Sequence, residues 1–238
     1  MSYLSDLLKP NKFNALIWFQ FILFVVLLLT GQINAINFVV IYFLESIIIG
    51  FFHFFFLLSL KNQPLDSDGN RVFISIFFLI HYMFFIFVQS IFLFEIIGNK
   101  IPDITNPFHV LKNIWIAMQL DGMLPLIGFV FLSQSYQYFK RWQNHDFYEQ
   151  YKPSETMFQP YPRVFIQQFT VILSGFFIIF SNAIVVAALL ITVLMTFLDL
   201  FWMSLRINSD KRITFEKYLN KNGTKNVDFK RFLDLFIN

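Results

Sequence analysis

The chain has 238 residues, of which 57% are hydrophobic, only 14% are charged and 36 are phenylalanine, and its mean hydropathy is +0.60. A soluble domain carries about 25% charged residues, so a water-soluble globule, a disordered chain, collagen and a coiled coil are all excluded, and a polytopic membrane protein is expected. The net charge of +3 is small, and the basic residues fall at the edges of apolar runs rather than on one face, so nucleic-acid binding is not indicated.

There is no cysteine, which excludes disulfides, thiolate metal sites and cysteine nucleophiles. Phe, Ile, Asn and Lys are frequent while Gly is scarce, with 8 residues. Part of the Phe excess is therefore read as the codon bias of an AT-rich coding sequence, a hypothesis that the base composition of the gene would settle.

One crossing of a hydrocarbon core about 30 Å thick takes about 20 apolar residues as a helix. On that measure the first span is 13–30 and the second 35–60, joined by the short turn-forming linker 31–34. The third is 72–97, after the turn-rich stretch 61–70, and the fourth is 111–139, with a kink expected at Pro125. Residues 164–205 form one apolar run of 42 residues. As a single helix it would measure about 63 Å, twice the core thickness. Ser181-Asn182 is the polar pair near its middle, so a hairpin is expected there, between a fifth span at 164–180 and a sixth at 183–205.

Charge distribution supports this count. Of the 18 Lys and Arg residues, only Lys100 and Lys112 fall on one side of a six-span arrangement; the other 16 fall on the side that receives both termini. The positive-inside rule then places both termini in the cytoplasm, in the inner membrane of the cell. Five spans would send the basic tail 206–238 outside. The first apolar run reads as a signal anchor rather than a cleaved leader, and no internal repeat is visible. The expected fold is thus all-α: a single six-transmembrane-helix bundle.

Short interfacial amphipathic helices are expected in three places, around Tyr3–Leu8, between Trp142 and Tyr161, and over Val227–Phe236.

Ionisable groups inside a span cost about 2.5–3.5 kcal/mol on insertion scales and are functional candidates by default. Counting residues from the span ends sorts them by depth. His53, His81, Gln168 and Asp199 fall at similar depth in the cytoplasmic half. Glu45, Gln89, Glu95 and Asp121 fall in the outer half. The heptad spacing of His81, Val88 and Glu95 predicts that His81 and Glu95 share an inward face. The candidates for a ligand- or proton-binding site are Glu45, His53, His81, Asp121, Gln168 and Asp199, with Glu45 the deepest carboxylate.

Interhelical hydrogen bonding, worth about 0.6–2 kcal/mol per pair, is the competing reading of the whole set. A haem or metal held by paired histidines is a further alternative. No metal site is assigned and no cofactor is identified. Asp66-Ser67-Asp68-Gly69-Asn70 begins like a calcium loop, but Arg71 and Phe77 stand where Gly and Glu are needed. Asn222-Gly223-Thr224 is a sequon on the expected cytoplasmic side. Phosphate-loop, nucleophile-elbow and zinc-protease motifs are missing.

Four segments together resemble a known group: Glu45-Ser46-Ile47-Ile48-Ile49-Gly50, then Phe77 to Tyr82 continuing to Phe87-Val88-Gln89, then Arg163 to Gly175, and Ala188 to Leu200 with Thr196-Phe197-Leu198-Asp199. They resemble an uncharacterised bacterial family of polytopic membrane proteins, one of the domains of unknown function. The resemblance covers about residues 40–205. It implies a shared polar core at Glu45, His81 and Asp199. It also implies Gly where this chain has Met83, and His where it has Gln89 and Gln168, so any metal capacity of those histidines would be lost here. It supplies no activity.

Three functions follow from these readings. The first is binding or movement of a small ligand or proton through a polar interior. The second is an intramembrane lipid-modifying enzyme with His81 or His53 as base, oriented by a carboxylate. The third is a scaffold subunit of a homo- or hetero-oligomeric membrane assembly. The lipid bilayer is the partner common to all three.

Overall fold

A computed structural model describes residues 10, 14–31, 34–60, 70–143, 153–181 and 184–207. The described chain is all-α. Its helices are α1 (Ala15–Leu29), α2 (Ala35–Ser59), α3 (Arg71–Gly98), α4 (Val110–Met118), α5 (Met123–Trp142), the single turn α6 (Pro153–Thr156), α7 (Tyr161–Ser181) and α8 (Ile184–Ile207). The amphipathic segments expected near residues 3–8 and 227–236, and most of the loop between α5 and α6, lie outside the described residues.

Local chemistry sets the helix ends. Gly31 follows α1 at φ +69° and donates its N–H to the Leu28 carbonyl at 3.2 Å, a left-handed stop that glycine takes without a Cβ clash. Asn34 caps α2, its side chain accepting from the Ile36 N–H at 3.1 Å, and Asn70 caps α3 by accepting from the Val72 N–H at 2.9 Å. The 164–205 run is divided: α7 ends at Ser181 and α8 starts at Ile184.

The fourth apolar run departs from expectation. It is not one helix kinked at Pro125 but two, α4 and α5, bent by 102°. The break falls at Gly122, φ +76°, where the Met123 N–H bonds back to the Leu120 carbonyl at 3.0 Å. Pro125 sits in the first turn of α5, where its missing N–H removes no helical bond.

Contacts across the bundle fix helix directions. Tyr82 meets Gly50 and Phe94 meets Phe43, so α2 and α3 are antiparallel. His81 meets Tyr161 and Phe85 meets Phe165, so α3 and α7 run the same way. Gln134 meets Glu45 and Tyr138 meets Ile49, so α5 runs with α2. Helix α2 is the axis of the molecule: residues 35–46 are buried without interruption.

Among the described residues, α2 and α3 are long and apolar enough to cross a membrane, and the bent pair α4–α5 makes a third if it counts as one crossing. Shorter apolar stretches are Ile17–Leu29 within α1 and Ala188–Phe201 within α8. By length and apolarity alone the described helices therefore supply two or three crossings, not six. Helix α1 has 15 residues, and the first half of α7 is diluted by Arg163, Gln167, Gln168 and Thr170.

Candidate functional site

One face of α2 carries a polar seam. Asn37, Tyr42, Glu45, Ser46 and His53 are all buried and recur at helical spacing. At one end the Asn37 amide donates to the Asp121 carbonyl at 2.6 Å, which ties α2 to the α4–α5 break.

The centre of the seam is ionic. Arg163, two residues into α7, places Nη2 2.8 Å from Glu45 Oε2 and Nη1 3.0 Å from Asp199 Oδ1. One guanidinium therefore joins a carboxylate of α2 to a carboxylate of α8. The planar fork of arginine suits this double engagement, which a lysine point charge would not reproduce. The Gln134 amide of α5 donates to the other Glu45 oxygen, Oε1, at 2.8 Å. Four helices thus meet at Glu45, whose side chain is 6% exposed, while that of Asp199 is 31% exposed. The cluster is closed at Glu45 and open at Asp199.

Next to it, Gln167 of α7 bonds both the Ser46 hydroxyl and the Tyr42 carbonyl. The Tyr82 hydroxyl of α3 donates to the Ser46 carbonyl at 2.9 Å. The Tyr82 ring lies over Gly50, where an added Cβ would come within 2.4 Å of Cε1. Glycine is required there by close approach.

Further along the seam, His53 Nε2 lies 3.0 Å from the Thr156 carbonyl. A carbonyl only accepts, so Nε2 carries the proton, and Nδ1 of the neutral ring is left to accept from the Tyr138 hydroxyl at 3.3 Å. The Arg141 guanidinium covers the outer face of the Tyr138 ring, 5.4 Å from its centroid. This set fastens the buried turn α6 beneath α2 and α5.

The candidate residues do not form the depth classes expected from counting. Glu45 and Asp199, assigned to opposite halves, share one arginine. Counting assumes that every helix begins at one level. Helix α7 instead begins inside the bundle: Tyr161 meets His81 ten residues into α3, about 15 Å along it, with α6 and Met157 filling the space below. His53 belongs to the α6 clamp. His81 pairs separately, its Nδ1 2.7 Å from the Tyr161 hydroxyl and its ring stacked on Phe77.

Asp121 is exposed at the break and contributes its backbone rather than its carboxylate. Glu95 is exposed too, contrary to the shared inward face. The inward stripe of α3 is Phe78, Tyr82, Ile86, Gln89 and Leu93. Gln168 is half-buried, and its neighbour Gln167 makes the central bonds. Among the described residues, no three His, Asp or Glu side chains are grouped to hold a metal ion, and neither His53 nor His81 has a carboxylate partner.

Arg163, Gln134, Gln167, Tyr138 and Tyr161 are not among the sequence candidates. A signal exists. Arg163, Gln167 and Thr170 follow at spacings of four and three, and Gln134 and Tyr138 at four, which are polar stripes of helical period. Arg163 also stands at the edge of an apolar run, where it counts as one more interfacial charge.

Residues 5–218 match a family described as a family of unknown function, DUF6498. The chain belongs to that family. No curated protein and no solved structure matches it.

Proposed function

We propose that this chain is an integral membrane protein crossing the cytoplasmic membrane six times, with both termini inside, and that Glu45, Arg163 and Asp199 form a site that takes up a proton or a small cationic ligand. The six-pass reading is supported by the helix directions: α2 and α5 run one way and α3 and α7 the other, as alternate crossings require. The 16-to-2 split of basic residues supports the orientation. The outer faces of α3 and α7, with Phe73, Ile80, Phe84, Phe165 and Phe169 exposed, suit a lipid surround.

The observation that carries the site is a mismatch of charge. Two carboxylates share one guanidinium, so with both ionised the cluster holds a net negative charge among the described residues. A proton or a small cation entering beside the partly exposed Asp199 balances that charge. His53, His81, Gln168 and Asp121 stand outside this centre.

The test is proton entry into liposomes reconstituted with the purified protein. Internal pH is followed with a trapped dye after an imposed pH step, with potassium and valinomycin collapsing the potential. Flux above empty liposomes that disappears in Glu45→Gln, while that variant elutes and melts as a folded protein, is the expected result. Equal flux in both folded proteins would overturn the proton reading.

A further inference from the structure

Gln89 lies well inside α3 and is fully buried, yet neither Nε2 nor Oε1 of its carboxamide has a hydrogen-bond partner among the described residues. The other buried polar atoms in this condition are the indole N–H groups of Trp18 and Trp142. Those stand near the start of α1 and at the end of α5, where headgroups and water reach a helix end. Gln89 has no such outlet.

Its position follows from its neighbours. Gln89 is two turns beyond Tyr82 on the inward stripe of α3, between the contact of Tyr82 with Gly50 and that of Phe94 with Phe43. It therefore faces the stretch of α2 that carries Ser46. On α7 it is level with the turn after Phe165, where Gln167 and Thr170 are buried. Leu93, Phe94 and Ile86 close the surroundings with hydrocarbon.

A carboxamide presents two donors on Nε2 and acceptor lone pairs on Oε1. Stranding both in hydrocarbon is strongly unfavourable, because there is no water to replace the lost bonds. We infer that Gln89 receives a neutral guest with an adjacent donor and acceptor, the hydroxyl or amide of a small solute or a water molecule, lodged between α2, α3 and α7. The guest is neutral because neither the carboxamide nor the polar groups at its level, Ser46, Gln167 and Thr170, carry a charge. This site does not depend on the ionic cluster at Arg163, and it survives if the proton reading fails.

The experiment compares wild type with Gln89→Met and Gln89→Asn by equilibrium unfolding in lipid–detergent micelles, together with a high-resolution structure grown from a lipid mesophase. A net hydrogen bond shifts the folded-to-unfolded ratio about two- to tenfold. With a guest bound through both groups, Gln89→Met loses two such bonds and its unfolding constant rises about fivefold or more. Gln89→Asn, which keeps the amide one methylene short, falls between the two. If the amide is an unsatisfied group, removing it relieves the penalty, and Gln89→Met is equal to or more stable than wild type. That result overturns the inference, as does a map in which only hydrocarbon surrounds the carboxamide. A feature of one atom within hydrogen-bond distance identifies the guest as water. A larger feature, matched by a solute released on denaturing mass spectrometry, identifies it as a ligand.

Discussion

Replacing Arg163 by methionine removes a group that joins α2, α7 and α8 through charge. The two halves of its interaction carry different weights. On the Glu45 side the pair is 2.8 Å apart and the carboxylate is 6% exposed. Breaking a buried pair from one end costs about 3–5 kcal/mol, chiefly by stranding the other charge. Gln134 still donates to Oε1, so the low end of that range applies. On the Asp199 side the carboxylate is 31% exposed, and solvent screening limits the loss to about 1 kcal/mol or less. Arg163→Met is therefore expected to destabilise the protein by about 3–4 kcal/mol. Glu45→Gln keeps the shape and the bond from Gln134, loses one charge-assisted bond and removes a buried charge, for a net cost of about 1 kcal/mol. In the double variant the side chain at position 45 is neutral and no charge is stranded there, so about 2 kcal/mol of the Arg163→Met loss is recovered. Equilibrium unfolding in mixed micelles, followed by fluorescence of the four tryptophans, measures all three. An Arg163→Met variant within about 0.5 kcal/mol of wild type, or additivity of the two substitutions, would refute a buried ionic link between Arg163 and Glu45.

Two further substitutions probe the seam. Gly50→Ala forces the Tyr82 ring aside, since the new Cβ would stand 2.4 Å from Cε1. It should cost about 1–3 kcal/mol, as overpacking does, and pairing it with Tyr82→Leu should restore most of the loss in the same unfolding assay. Gln167→Leu and Gln168→Leu separate two adjacent amides. The first removes the bonds to Ser46 and the Tyr42 carbonyl and should lower the melting temperature clearly, whereas the second, at a half-buried position, should leave it nearly unchanged; the reverse order would place the wrong face of α7 against α2.

Much of the helical architecture is readable because its determinants are local. Run length and the turn-forming stretches 31–34 and 61–70 predict helices over 35–60 and 72–97, and the helices are Ala35–Ser59 and Arg71–Gly98, with Asn34 and Asn70 as their caps. The break in the fourth run is misplaced in the sequence reading because a proline draws attention that belongs to Gly122: proline in a first helical turn is harmless, whereas φ +76° ends a helix. The polar site is readable only as a set of residue types. Glu45 and Asp199 stand out in any apolar run, but their partner is an arginine at the edge of a run, and only the start of α7 inside the bundle brings it to them. Gln167 and Gln168 are indistinguishable by composition; the phase set by Arg163 four residues earlier selects the first. Depth counting fails for the same reason in each case, since it treats helices as parallel rods with a common origin.

The phenylalanines and the seam are two parts of one packing solution. Helices in a bilayer gain little from burying apolar side chains against one another, because lipid is equally apolar. Small residues that let backbones approach are scarce here; Gly50 under Tyr82 is the clear instance. Large rings fill the gaps instead, edge to face, as with Phe24 on Phe38 at 5.3 Å and Phe43 on Phe94 at 5.9 Å. Such contacts are worth about 0.5–1.5 kcal/mol each, but ring on ring is a repeating surface with little to distinguish one register from the next. The hydrogen bonds of α2 do distinguish it. Asn37 meets the α4–α5 break, Glu45 and Ser46 meet α7, and His53 meets α6, each at one level only, and sliding any of these neighbours by a turn would leave a polar group unpaired. The rings hold the helices together, and the polar seam decides where along one another they stop.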